Sequence, residues 1–261
     1  MVEGLNGWFP ADPMLTDRYE IIMQGQAAER IAAHYKLSRE ALDAFSAESH
    51  QRAARAKEQG YFVPETAEIE ATQADGSTKA ITEDEGIRAD TTPERLALLK
   101  PAFQEDGVIT AGSSSQLSDG AAALLVGSLA KSEELDLTPR AKIISTAVVG
   151  VDPTMMLLGP MPAARKALLR AKLELKDIDL FEVNEAFASV VLAFEKELKV
   201  PHEKVNVNGG AIALGHPLGC SGARLLTTLL HEMERRDVRY GLVTMCIGFG
   251  QATATILDRQ V

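Results

Sequence analysis

The stretch NVNGGAIALGHPLGCSGAR, residues 206–224, sets one histidine between flexible glycines and the start of a helix. Gly209, Gly210 and Gly215 remove side chains, so backbone can approach a ligand closely and adopt positive φ. Pro217 directs the chain into a helix whose N-terminus faces the turn, and such an end favours negative charge, including a developing oxyanion. His216 is therefore a candidate for proton transfer. The competing reading is a histidine packed in a glycine-rich turn for shape alone.

Two other turns supply matching chemistry. Cys246 ends an apolar run and enters Gly248-Phe249-Gly250 in MCIGFGQA. Strand C-termini in α/β sheets are where binding sites gather, and a cysteine there can act as nucleophile or acid/base. Its plain alternative is a small buried hydrophobe. Asn184-Glu185-Ala186-Phe187 also follows a strand pattern. Asn184 can hold a water or donate to an oxyanion, or can merely cap a helix. The chain has two cysteines and five histidines, so few other pairs could serve. Cys220, in Gly-Cys-Ser-Gly, is the rival thiol and reads as close helix packing.

The composition bounds the function class. The 261 residues are 46% hydrophobic and 25% charged, enough for one large domain or two smaller ones. The formal charge of −10 argues against a nucleic-acid surface. No apolar run is long enough to span a bilayer, and no secretory signal is visible at the N-terminus. Two cysteines in glycine-rich turns make no disulfide framework, so a reducing, cytoplasmic setting is expected. Arg88, Arg95 and Lys100 form a local basic group that could meet a phosphorylated small molecule or lie on a solvated face.

The patterning predicts an α/β layered fold. Residues 1–20 read as an extended arm, followed by helices over Gln24–Tyr35 and from Ser38 to Gly60. A polar, broken stretch (62–110) holds short β pieces near Glu68 and Ile81 and a helix over 93–99. Strands are expected at 121–126, 141–151, 179–183, 205–207, 241–246 and 252–258. Helices are expected at 161–172, 185–198 and 218–236. The wholly apolar 121–126 needs neighbours on both sides, which suggests a sheet completed from outside the chain.

Four pieces carry a resemblance: GVITAGSSSQLSDGAA (107–122), NEAFA (184–188), the 206–224 stretch and MCIGFGQA (245–252). In order and spacing the chain resembles the thiolase family of acyl-CoA acetyltransferases. The resemblance implies a layered α-β-α-β-α fold in the complete enzyme. Here residues 1–118 would be an N-terminal arm and loop domain, 119–140 the last elements of an otherwise missing N-terminal domain, and 141–261 the C-terminal domain. It implies thiolysis of 3-ketoacyl-CoA or the reverse Claisen condensation, with coenzyme A as substrate and no cofactor or metal. His216 would activate the acyl-accepting cysteine, Asn184 would hold the oxyanion-hole water, and Cys246 would be the acid/base thiol. Gly248 would supply a second oxyanion N–H. Ser115, Phe187 and Ala186 would lie along the pantetheine arm, and Arg88 at the adenosine end. Phe249 and Ala252 replace glycines frequent in the family's last motif. The acyl-accepting cysteine's motif is missing, so a separate N-terminal thiolase chain is expected as partner, in a homo- or hetero-oligomer. The alternatives are a non-catalytic acyl-CoA-binding or scaffold subunit and a truncated fragment. Cytoplasm is the expected compartment, or an organelle matrix in a eukaryote.

Overall fold

A computed structural model describes residues 12–260. The predicted arm falls partly on residues 1–11, outside that range; its described remainder holds one helical turn, Pro13–Thr16. The principal elements in chain order are α1 (Gln24–Tyr35), α2 (Arg39–Glu58), β1 (Ile69–Thr72), β2 (Thr78–Ile81), β3 (Lys142–Gly150), α3 (Pro160–Ala171), β4 (Leu180–Val183), α4 (Ala188–Leu198), α5 (Ser221–Arg236), β5 (Tyr240–Ile247) and β6 (Gln251–Asp258).

Local chemistry accounts for the helix ends. The Ser38 hydroxyl accepts from Ala41 N at 3.2 Å, with Glu40 in the first turn and Arg55 and Lys57 in the last. Gly60 follows the helix at φ +70°, the left-handed region that suits glycine.

β1 and β2 pair as a separate hairpin, while the other four strands form one sheet in the order β3-β6-β5-β4. β4 runs parallel to β5, with α5 in the connection between them, and the remaining pairs are antiparallel. One sheet face buries Phe181, Val183, Leu242, Ala254 and Ile256 against α1, α3 and α4. On the other face Leu180, Val243 and Leu257 meet Leu225, Leu229 and Met233 of α5. All four β4 residues are buried, as a strand covered on both faces requires. Edge strand β3 is guarded by α3: Lys166 donates to the Val148 carbonyl (2.8 Å) and Arg170 to that of Thr146 (2.6 Å).

Four expectations are corrected. The strand expected at 205–207 is reduced to isolated bridges, Val205 with Phe181 and Val207 with Gly209. Residues 121–126 form no strand; Leu125 and Val126 are exposed. An extended apolar segment becomes a strand only when a neighbour takes up its N–H and C=O groups, and no described strand pairs with this one. The helix at Pro93 ends at Leu96, not Leu99. The helix expected from Glu185 begins at Ala188, with Phe187 at its cap, so Asn184 is not a helix cap. The 184–187 backbone is stapled elsewhere: Ser115 N donates to the Ala186 carbonyl at 3.0 Å, and Ser114 bridges Phe187.

α2 is tied to α4 through His202. Its Nε2 lies 3.0 Å from Glu48 and its Nδ1 2.9 Å from Glu195. Hydrogen bonds to two carboxylates need both ring protons, hence an imidazolium. Burial opposes that charge, but the carboxylates outweigh it and raise the His202 pKa. Burial also pulls Glu195 upward, against what pairing would do; the two-nitrogen geometry is the stronger argument for a charged His202. A raised folded pKa gives stabilisation that is full below the unfolded value of about 6.5 and lost as pH rises through the folded value. His202→Gln is therefore expected to lower the melting temperature at pH 6 and to have a smaller effect at pH 9. Thermal unfolding of both proteins at the two pH values checks this; equal effects would remove the charged clamp.

Candidate active site

Asn206, at φ +46°, ties the 206–224 turn to the end of β4. Val183 N donates to Asn206 Oδ1 (2.8 Å), and Asn206 Nδ2 donates to the Val183 carbonyl (2.8 Å) and to Glu185 Oε1 (2.9 Å). The side-chain amide thus imitates a strand neighbour where β4 ends. The Glu185 carboxyl also accepts from Ser49 Oγ (2.7 Å) and Ile212 N (3.1 Å). Burial raises its pKa despite these donors. A Cβ on Gly210 would stand 2.3 Å from Glu185 Cδ, and one on Gly209, at φ +78°, 2.5 Å from the Ser49 carbonyl. Both glycines are there because α2 and Glu185 press against the turn.

The turn delivers His216 to Asn184, whose Nδ2 lies 3.2 Å from His216 Nε2. On the other side His216 Nδ1 is 2.6 Å from Ser221 Oγ. The Ser221 hydroxyl donates to the Pro217 carbonyl at 2.9 Å, which uses its one proton. The Nδ1 proton must then sit on the ring and donate to Ser221, leaving Nε2 with its lone pair facing Asn184. The tautomer follows from this network. Burial, then the positive charge of Arg224, lowers the His216 pKa. Asn184 Oδ1 is buried and has no hydrogen-bond partner among the described residues.

Asn184 N donates to the Thr244 carbonyl at 3.0 Å, which sets the end of β4 beside the end of β5 two residues before Cys246. The Cys246 side chain belongs to the apolar cluster under the sheet, and burial pushes its thiol up to about 12. Beyond it the chain turns sharply through Phe249 (φ +63°) and Gly250 (φ +85°), where a Cβ on Gly250 would meet the Val151 carbonyl at 2.3 Å. Gly248 lies beside Gln24, at the start of α1.

The other predicted residues divide. Ser115 and Ala186 share the backbone staple already described, and Phe187 meets Phe103 edge-on at 5.7 Å between ring centres. Arg88 is exposed, and its backbone N donates to Nδ1 of His50, whose pKa burial lowers to about 4. Arg95 pairs with exposed Asp90, so at that position the basic group is a solvated face. Cys220 is buried directly before α5, and burial raises its pKa. Among the described residues no group of His, Cys, Asp and Glu gathers as a metal site would need. No described helix is long and apolar enough to cross a membrane.

Four positioning residues escaped the sequence reading. Ser221 orients His216, while Glu185 and Asn206 hold the two loops together. Gln116 Nε2 donates to the carbonyls of Gly86 (2.9 Å) and Ile212 (2.9 Å), and its own carbonyl accepts from His216 N (3.1 Å). Only Ser221 left a usable signal, a hydroxyl about one helical turn after the histidine.

Family models for the thiolase N-terminal and C-terminal domains match residues 9–130 and 137–259. The chain belongs to the thiolase family. The chain is 54% identical over 241 residues to the 3-ketoacyl-CoA thiolases of Cronobacter sakazakii and Escherichia fergusonii. Each match covers 91% of this chain and 62% of the relative, so the chain spans about three-fifths of their length. Its fold superposes on the Bacillus anthracis acetyl-CoA acetyltransferase with a TM-score of 0.88 at 44% identity, covering 91% of this chain and 60% of that one. Human mitochondrial 3-ketoacyl-CoA thiolase gives 0.85 at 43% identity over 91% and 60% of the two chains, and that enzyme has also been solved with CoA.

The glycine contacts make a direct test. Gly210→Ala is expected to cost about 1–3 kcal/mol in urea unfolding, because the methyl overlaps the Glu185 carboxyl. Gly219→Ala, where no atom lies within 4 Å of the added Cβ, should stay within about 0.5 kcal/mol of the parent. Equal stability of the two variants would refute the packing.

Proposed function

We propose that this chain carries the acid/base half of a thiolase site, cleaving 3-ketoacyl-CoA with CoA or running the reverse condensation. The observation that carries the reading is the line Asn184–His216–Ser221 at the strand end next to the Cys246-bearing turn. The nucleophilic cysteine would come from a separate N-terminal thiolase chain in a hetero-oligomer. Neither thiol here suits that role: Cys220 belongs to the turn entering α5, and Cys246 is buried and protonated at neutral pH.

His216 Nε2 takes the proton of the nucleophilic thiol, and the thiolate attacks the 3-keto carbon. The C2–C3 bond breaks, and its electron pair passes to the enolate of acetyl-CoA. Cys246, a thiol in its resting environment, protonates C2. The thiol of a second CoA then returns a proton to the Cys246 thiolate and attacks the acyl thioester. Acyl-CoA leaves, and the nucleophile regains its proton from His216. Asn184, with its unpartnered Oδ1, suits a bound water that together with His216 would stabilise the first oxyanion. The Gly248 N–H is assigned to the second oxyanion. Ser115, Ala186 and Phe187 are assigned to the pantetheine arm, and Arg88 to the adenosine end of CoA. No cofactor or metal enters this chemistry.

Exposed apolar side chains support the partner. Leu117, Leu125, Val126, Leu129 and Leu218 are open to solvent, the first of these fully. A monomer seldom leaves so many apolar groups uncovered on neighbouring stretches. The proposed setting is the cytoplasm.

The assay is thiolysis of acetoacetyl-CoA by the chain alone and mixed with an N-terminal thiolase segment bearing the nucleophile. Activity is expected only in the mixture, falling about 10²–10⁴-fold in His216→Asn and Cys246→Ala. A chain that binds CoA yet never turns over with that segment would be a scaffold subunit, and turnover unchanged by Cys246→Ala would remove its assigned role.

A further inference from the structure

Gln116 bridges the two ends of the proposed coenzyme site, and no step of the proposed chemistry uses its side chain. Its amide Nε2 lies 2.9 Å from the Gly86 carbonyl, 2.9 Å from that of Ile212 and 3.2 Å from that of Ala213. Carbonyl oxygens gathered around one end of an amide require the nitrogen there, since an amide oxygen would meet only lone pairs. One N–H therefore serves Gly86, and the other is shared by Ile212 and Ala213. The latter two carbonyls close the helical turn Ala211–Leu214. In a longer helix the next N–H groups would fill them, but His216 N donates to the Gln116 carbonyl (3.1 Å) and Pro217 has no N–H. The Gln116 side chain takes their place. Gly86, two residues before Arg88, comes close enough to share in this because it lacks a side chain. A Cβ there would stand 2.8 Å from the Ala213 carbonyl and 3.0 Å from Gln116 Nε2.

We propose that Gln116 is a positioning residue that fixes the span between the adenosine end of CoA at Arg88 and the reacting end at His216. The inference rests on the proposed CoA site. The Gln116 side chain holds the segment that carries Arg88, its backbone holds His216, and Ser115 beside it is assigned to the arm between them. CoA is a tethered ligand, so its two ends bind as one only when their separation in the protein matches the tether. A short strut between the two loops sets that separation, and binding at the adenosine end then helps to deliver the thioester. A second route joins the same segments through α2. There Arg88 N donates to His50 Nδ1 (3.1 Å), and Gly210 N donates to Ser49 Oγ (3.2 Å). That route passes through a whole helix and meets the turn at its start, whereas Gln116 binds the turn at the end that leads into His216.

The test needs no turnover. NMR titrations of the full chain measure its affinity for CoA and for the two halves of CoA, adenosine 3′,5′-bisphosphate and phosphopantetheine. Gln116→Ala is expected to weaken CoA about fivefold to tenfold, as the loss of one or two hydrogen bonds implies. Each half should bind within about twofold of its parent value, because neither half spans the strut. Gln116→Met, which keeps the length of the stem without the donors, gives the same readout should the alanine variant fail to fold. Unchanged CoA affinity in the variants overturns the proposal and gives the span to the α2 route. So does an equal loss for CoA and both halves, which would make Gln116 a general brace. Failure of the coenzyme site would show in the parent chain, and failure of the span only in the variants. A parent that binds no CoA, or binds it no tighter than its better half, refutes the two-ended site and the inference with it.

Discussion

The buried carboxyl of Glu185 is the contact on which the site depends. It sits where four parts of the chain meet: the end of β4, the middle of α2 through Ser49, the 206 loop through Asn206, and the turn at Ile212. Taking such a group out of water costs several kcal/mol unless its oxygens are filled, and here three donors fill them. Each donor belongs to an element that cannot move without leaving the carboxyl unsatisfied. The glycines at 209 and 210 are the steric counterpart, allowing α2 and Glu185 to approach backbone at distances no side chain would permit.

With that knot fixed, the placing of His216 needs little more. Asn206 holds its loop to β4, Gln116 holds the backbone of His216, and Ser221 holds the ring. Asn184 is carried on the strand that Asn206 extends, so Asn184 and His216 meet as consequences of one anchoring. A site built on strand ends and braced from behind keeps its geometry better than one on a free loop.

Much of this was legible in the chain. The apolar periods marked α1 and α2 closely, and the β-branched runs marked β3, β5 and β6, because those segments bury one face against a core that is present. The turn glycines and His216 were legible because a positive φ or a close approach leaves few residue choices. The failures have a common cause. Residues 121–126 carry the pattern of a buried strand, but pattern states what a segment can pair with and supplies no neighbour. Asn184 and Glu185 look like a helix start, and local propensity was overridden by longer-range bonds from Ser115 and Asn206. Glu185 itself reads as an ordinary surface acid, since nothing in its neighbourhood along the chain announces donors arriving from Ser49 and Ile212.

The two titratable groups at this sheet end are pushed apart in a useful sense. Burial and Arg224 lower the histidine, so near neutral pH it is an acceptor; burial in the apolar cluster raises the cysteine to about 12, so it is a donor. One environment that only excluded water would produce both shifts, because desolvation opposes whichever form is charged, cation in one case and anion in the other. In the proposed chemistry the pair is thus set as base and acid before substrate arrives, with no proton exchanged between them. Desolvation also governs the return step, because a Cys246 thiolate in that apolar cluster is a strong base that readily takes a proton. In the proposed chemistry that state is relieved by the incoming CoA thiol, which makes the discomfort of the Cys246 anion the reason the second half-reaction runs forward.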